Sequence, residues 1–392
     1  MFSPFILLCV AGFFALFSST ISKNPSLPLL VDYLGGSETA IGFVAAASAF
    51  SGIVFSLPAG LLADRFGKKR LLIVAGGVFA TSPFLYLLTS NIWQLSVIRL
   101  YHGLATAIFG PVSMALVIEL YEQKKGERLG CFSTATLLGR FLAPAAGGLI
   151  LSISAVGMGL QFTPLYLLCG IADIIALSAI STLPATQPTK VKEKKGNWQA
   201  QWRKSLLALK SNRIILATCA IDASILFCYG IFETFLPLLA LTKEIAVWQT
   251  GLCISSQVVT IAITKPFLGK LSDRKGRAPQ ILAGITLATF CMIGFGLVST
   301  FWQMLFVSAL FGLSMSVVTS ASAAYVAEQS ERAGYGSAMG ALGSIMDIGH
   351  STGPIVGGIL ATTIGLKFAF MFSSAILIIG AGCFLSNGKV RT

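Results

Sequence analysis

Apolar positions run in twelve stretches, each broken by a short cluster of charged or turn-forming residues, at 5–33, 40–62, 71–90, 93–119, 130–153, 164–183, 214–241, 248–270, 280–298, 301–326, 335–363 and 367–385. A helix rises about 1.5 Å per residue, so about 20 apolar residues span the hydrocarbon of a bilayer. Helices are also the one open-chain way to satisfy every backbone polar group in lipid. The pattern predicts an all-α polytopic membrane protein with twelve transmembrane helices.

Composition sharpens this. The 392 residues are 55% hydrophobic and 11% charged, whereas soluble domains carry about 25% charged residues, so a soluble enzyme is excluded. The net charge of +13 is spread over loops and not gathered on one nucleic-acid-binding face. Of 28 Lys and Arg, 22 lie in the 64–70, 121–128, 184–213, 270–277 and 331–334 loops and the C-terminal tail, all on one side of the twelve spans. The other side holds Lys243 and Lys367. The positive-inside rule then makes both termini cytoplasmic, and the expected location is the cytoplasmic (inner) cell membrane. Met1 to Phe17 lacks a basic start and a small-residue cleavage site, so it is expected to stay as the first helix. The eight cysteines lie in apolar stretches without C-x-x-C spacing and are expected to be small buried hydrophobes, with no metal and no cofactor.

The chain repeats itself. Gly60, Asp64, Arg65 and Gly67 recur 209 residues later as Gly269, Asp273, Arg274 and Gly276. Trp93, Gly103 and Glu119 recur at the same offset as Trp302, Gly312 and Glu328, and Pro28 recurs as Pro237. After a one-residue slip, Gly139, Pro144, Gly147 and Gly148 match Gly349, Pro354, Gly357 and Gly358. Two parallel six-span halves follow, 1–183 and 214–392, joined by a basic linker over 184–213.

These residues carry a resemblance to the major facilitator superfamily over the whole chain. The run from Gly60 through Asp64, Arg65, Gly67 and Lys68 to Arg70 resembles the family's loop signature, and its second copy includes Asp273 and Arg274. The segment Gly139, Arg140, Ala143, Pro144, Gly147, Gly148 is similar to the glycine and proline motif of the proton-coupled antiporters, and span eleven carries Gly349, Gly353, Pro354 and Gly357 at matching spacing. Arg99 to Gly103 resembles the antiporter motif whose arginine is tied to proton coupling, with His102 where glutamine is usual. The resemblance implies two six-helix bundles around a central cleft, cycling by alternating access.

The ionisable residues inside spans are the candidates for mechanism: Lys23, Arg99, Arg140, Asp173, Asp222, Glu233, Asp347 and His350, with His102 and Asn24 beside them. Each charge costs about 2.5–3.5 kcal/mol at mid-membrane, so they are expected to face a wet cavity or one another. The repeat pairs Glu233 with Asn24 and Arg140 with His350. No P-loop, metal cluster or nucleophile–base set points to an enzyme. The expected function is proton-coupled antiport that exports a small organic compound, the alternatives being a proton-coupled importer of an anionic metabolite and a non-transporting receptor or scaffold. Span one has Lys23 in its interior and its one acidic residue, Asp32, at the outer end, which favours anionic, zwitterionic or neutral cargo. The partners are that compound, protons and the lipid bilayer; nucleic acid is excluded and a monomer is expected.

Overall fold

The computed structural model describes residues 3–121, 124–154, 162–184, 213–329 and 335–387. They form thirteen helices: α1 (Pro4–Ile21), α2 (Ser26–Tyr33), α3 (Glu38–Phe66), α4 (Lys68–Leu87), α5 (Ile92–Leu120), α6 (Lys125–Ile153), α7 (Thr163–Ser181), α8 (Arg213–Leu241), α9 (Val247–Lys275), α10 (Arg277–Leu297), α11 (Phe301–Gln329), α12 (Tyr335–Ile364) and α13 (Leu366–Asn387). Among the described residues no strand occurs. Helices α1 and α2 make one span broken at Ser22–Pro25, where two prolines close together interrupt the backbone ladder. Eleven spans are long and apolar enough to cross a membrane. The thirty residues of α12 make the twelfth, its apolarity diluted by Asp347, His350 and its glycines. The linker expected over 184–213 lies outside the described residues except at its two ends.

Several helices outrun their apolar stretches at the basic ends. Helix α4 begins at Lys68, α6 at Lys125 and α10 at Arg277, and α11 continues to Gln329. Lipid sets the apolar length, but the backbone ladder continues until a residue breaks it. Gly67 alone separates α3 from α4, with φ +92°, and Gly276 alone separates α9 from α10, with φ +90°. A side chain is strained at such φ, which explains a glycine in both copies. The helix starts repeat too: Gln94 N donates to Asn91 Oδ1 (2.9 Å) and its Oε1 accepts from Ser90 N. At the same offset Gln303 N donates to Thr300 Oγ1 (3.4 Å) and its Oε1 accepts from Ser299 N. Each is a reciprocal cap on the orphan amides of a helix start.

The described residues fall into two compact units, one within Met1–Lys192 plus Ala240–Ser255, the other within Glu193–Leu239 plus Ser256–Thr392. In the first, α1 packs on α6 and α7, α3 on α5, and α4 on α5 and α7, around a core that includes Leu8, Phe79, Phe109 and Phe132. In the second, α10 packs on α11 and α13, and α12 on α13. Its core holds a ring cluster in which Phe232 lies 5.3 Å from both Phe295 and Phe311.

Small residues let helices approach backbone to backbone. A Cβ on Gly139 would strike the Phe13 carbonyl of α1, and one on Gly147 would lie 2.8 Å from Ile21 Cγ1. The other flank of α6 meets the first turns of α9: a Cβ on Gly148 would lie 2.6 Å from the Val247 carbonyl oxygen, and Gly251 abuts the Pro144 carbonyl. In the second unit Gly349 and Gly353 of α12 abut the Ala223 and Phe227 carbonyls of α8, and Gly357 meets Ile231 at 2.8 Å.

Candidate functional site

The close approach of α12 to α8 positions a buried carboxylate of the second unit. His350 follows Gly349, and its Nε2 lies 2.7 Å from Glu233 Oε1 of α8. Tyr229, one turn before Glu233, lies against the imidazole with ring centroids 5.4 Å apart and planes 21° from parallel. The Glu233 side chain is 4% exposed and that of His350 22%, so a sequestered carboxylate is reached through a partly open histidine. Such a pair can take up or give up a proton while the hydrogen bond holds both groups in place. Asp347 is exposed on α12. It lies three residues before His350, whose imidazole is engaged by Glu233.

Two further carboxylates are sealed inside their units. Asp173 of α7 is fully buried and accepts from Ser18 Oγ of α1 at 2.6 Å. Asp222 of α8 is buried and accepts from Ser322 Oγ of α11 at 2.8 Å. Each ties a helix to its neighbour, and in each the second carboxylate oxygen has no hydrogen-bond partner among the described residues. Asp222 also feels the charge of Lys265 of α9, whereas Asp173 is held by the Ser18 hydroxyl.

In the first unit, Arg99 and His102 of α5 converge on one hydroxyl of α4. Arg99 Nη1 donates to Tyr86 Oη at 3.3 Å, and Tyr86 Oη meets His102 Nδ1 at 3.1 Å. Tyr86 stacks on Tyr166 of α7 at 4.9 Å, and all four side chains are buried. Gly103, next to His102, brings α5 against α3: a Cβ there would lie 2.6 Å from the Ser48 carbonyl oxygen. Lys23 and Asn24 occupy the turn between α1 and α2, the first partly exposed and the second buried.

Arg140 is exposed. Leu138 and Leu142 sit two residues to either side, and Leu149 nine residues on; all three are exposed leucines. At about 100° per residue each lies about 180–200° around α6 from Arg140. The three exposed leucines share one face of α6, and Arg140 lies on the opposite face, between the flank that meets α1 and the flank that meets the first turns of α9.

The loop signature forms an ion pair in each copy. Lys68 Nζ lies 2.5 Å from Glu119 Oε2, and Arg277 Nη2 lies 2.8 Å from Glu328 Oε1, the same two positions 209 residues apart. Arg277 also reaches Asp273 at 2.5 Å and donates from Nη1 to Ser272 Oγ at 2.7 Å. Lys69 donates to the Leu183 carbonyl. Glu119 and Glu328 are paired while staying partly exposed at their helix ends. Arg65 and Arg274 are exposed, and Gly60 and Asp64 lie outside the residues whose side chains the structure describes. Reversing either charge alone, Lys68→Glu or Glu119→Lys, is expected to lower the melting temperature, and the double swap to restore much of it. A double-mutant cycle should give a coupling of about 1 kcal/mol; additive effects would show that the pair does not link α4 to α5.

Sequence reasoning missed Tyr86, Tyr229, Ser18, Ser322 and Arg277. The last was legible, since it lies 209 residues after Lys68. The serines and tyrosines carry no such mark, as hydroxyls are common in these spans. Cys131 and Cys383 are exposed and Cys9 partly so, against the expectation that all eight cysteines are buried.

Comparison with known proteins agrees with this architecture. The chain is 25% identical over 357 residues to the uncharacterized MFS-type transporter MJ1560 of Methanocaldococcus jannaschii, covering 91% of this chain and 90% of that one. It is 26% identical over 375 residues to the multidrug resistance protein MdtG of Escherichia fergusonii, covering 90% and 87%. In fold it is similar to a mutant form of the nucleoside transporter NupG, with a TM-score of 0.83 at 12% identity over 99% of this chain and 100% of that one. The profile of the Major Facilitator Superfamily matches residues 8–256 and 227–389. With twelve spans, an internal repeat and paired loop signatures, this multi-pass membrane protein belongs to the Major Facilitator Superfamily, a family of transporters.

Proposed function

We propose that the chain is a proton-coupled antiporter that exports a small organic compound from the cytoplasm by alternating access of its two six-helix halves, 1–183 and 214–392. The observation that carries this is the Glu233–His350 pair: a carboxylate inside a membrane span, 2.7 Å from an imidazole. A permanent charge there is expensive, so a group that can be neutralised by a proton when access changes suits an exchange cycle. Glu233 and His350 carry the proton, and Arg140 and Lys23 meet the cargo, which is anionic, zwitterionic or neutral. Arg99, Tyr86 and His102 form a rigid polar core beside it. Asp173 and Asp222, each held by a serine, keep helices in register. Export is supported by the similarity to a multidrug resistance protein and by the glycine and proline motif over Gly139–Gly148.

The test is a proton-flux assay in proteoliposomes of known orientation with a pH dye enclosed, over a chemically diverse panel. Export by exchange predicts that substrate moves from the basic-loop face to the opposite face as protons move the other way. Substrate and protons crossing in the same direction would establish import instead. No substrate-dependent flux with any panel member would leave a receptor or scaffold of the same fold.

A further inference from the structure

The two repeats hold the same position of α6 and α12 in opposite ways. In the second unit His350, the residue after Gly349, is filled from one helix: Glu233 places a carboxylate on its Nε2 at 2.7 Å and Tyr229 lays a ring on its face at 5.4 Å. In the first unit the equivalent residue is Arg140, after Gly139. The packing fixes which residues of α1 correspond to those of α8. Gly139 meets the backbone of Phe13 as Gly349 meets that of Ala223, and Gly147 meets Ile21 as Gly357 meets Ile231. Both correspondences are 210 residues, one more than the offset the loops show. Carried along α1, this register sets Ser19 opposite Tyr229, while Lys23 and Asn24, opposite Glu233, lie in the turn that follows. The break at Ser22–Pro25 absorbs the extra residue before Pro28 and Pro237 come back into step.

The first unit therefore presents the cation without the ring and without the carboxylate. Among the described residues Arg140 makes no hydrogen bond or ion pair, and it lies on the face of α6 opposite the exposed leucines. A guanidinium at that depth takes a carboxylate in a paired geometry and accepts an aromatic ring over its plane.

We infer that the first unit binds an aromatic carboxylate, the acid group on the Arg140 guanidinium and the ring over its plane, where Ser19 stands in place of Tyr229, replacing from solution what Glu233 and Tyr229 supply in the second unit. The inference rests on the transport reading and names its cargo class. Aliphatic acids lack the ring, esters lack the charge, and cations are repelled by Arg140.

Binding to the purified full-length protein can be followed by thermal stabilisation with naphthoate, methyl naphthoate, cyclohexanecarboxylate and naphthyl trimethylammonium. Naphthoate is expected to stabilise the protein most. Arg140→Gln is expected to weaken naphthoate at least about tenfold, with Arg140→Lys intermediate and serving in its place should the glutamine variant not fold. Ser19→Tyr, which supplies a ring from the protein, is expected to weaken naphthoate by a similar factor while cyclohexanecarboxylate changes little. Naphthoate binding without proton flux would uphold this site and overturn the coupling proposed above. Proton-coupled transport of the ester or ammonium with no naphthoate binding would overturn the site and uphold transport. Failure of the folded wild-type protein to bind naphthoate, or equal binding by Arg140→Gln, overturns the inference.

Discussion

Gly353→Leu is expected to give no folded protein, while Gly343→Leu in the same helix is expected to be recovered at close to the normal yield. The contrast is in the space each glycine faces. A Cβ on Gly353 would fall on the backbone of Phe227, touching its carbonyl oxygen, carbonyl carbon and Cα, whereas one on Gly343 would meet nothing within 4 Å. Backbone atoms cannot rotate aside as a side chain does, so the helix itself must move. Overpacking a core costs about 1–3 kcal/mol when neighbours can adjust, and here α8 and α12 must separate along a seam that also includes Gly349 and Gly357. Separation would pull His350 from Glu233 and leave a carboxylate unpaired inside a span, which adds the several kcal/mol of an uncompensated charge. Size-exclusion profiles of the two variants after detergent extraction check this. A monodisperse, correctly eluting Gly353→Leu protein would show that the α8–α12 seam can open without loss of fold.

Much of this architecture was written in the pattern of apolar residues because lipid permits so few solutions. Span number follows from positions the bilayer constrains directly. The helix ends did not follow, since the apolar pattern stops where lipid stops and the backbone does not: Lys68 and Arg277 open helices, and their partners Glu119 and Glu328 lie in the last turns of others. The repeat was legible to the residue in the loops, where Gly67 and Gly276 share a positive φ. The position opposite Glu233 was less legible, because the offset changes from 210 to 209 within the turn at Ser22–Pro25.

The site was legible by type and not by partner. Ionisable residues in spans marked themselves by their cost, but Glu233 and His350 are 117 residues apart and no local spacing joins them. Asp173 and Asp222 carried the same mark and proved to be interior fastenings, held by Ser18 and Ser322. A short serine hydrogen bond is enough to satisfy one carboxylate oxygen away from solvent, and sequence alone does not distinguish that arrangement from a cavity-facing acid.

Glu233→Gln therefore separates the two kinds of buried acid. The amide keeps the shape of the carboxylate and can still hydrogen-bond the His350 Nε2, so the α8–α12 seam and membrane insertion are expected to survive. It cannot bind and release a proton in the working pH range. Substrate-driven proton flux in proteoliposomes is expected to fall by at least about 100-fold, equivalent to a barrier increase of about 2.7 kcal/mol. Counterflow of labelled against unlabelled substrate requires no net proton movement, and it should continue within about threefold of the wild-type rate, less than 1 kcal/mol on the same scale. The matching change at a fastening residue, Asp173→Asn, should do the reverse: the Ser18 bond is weakened in a fully buried place, so stability drops while coupling per folded molecule is kept. Loss of counterflow together with proton flux in Glu233→Gln would place Glu233 in substrate binding, and full proton flux in that variant would remove it from the coupling step.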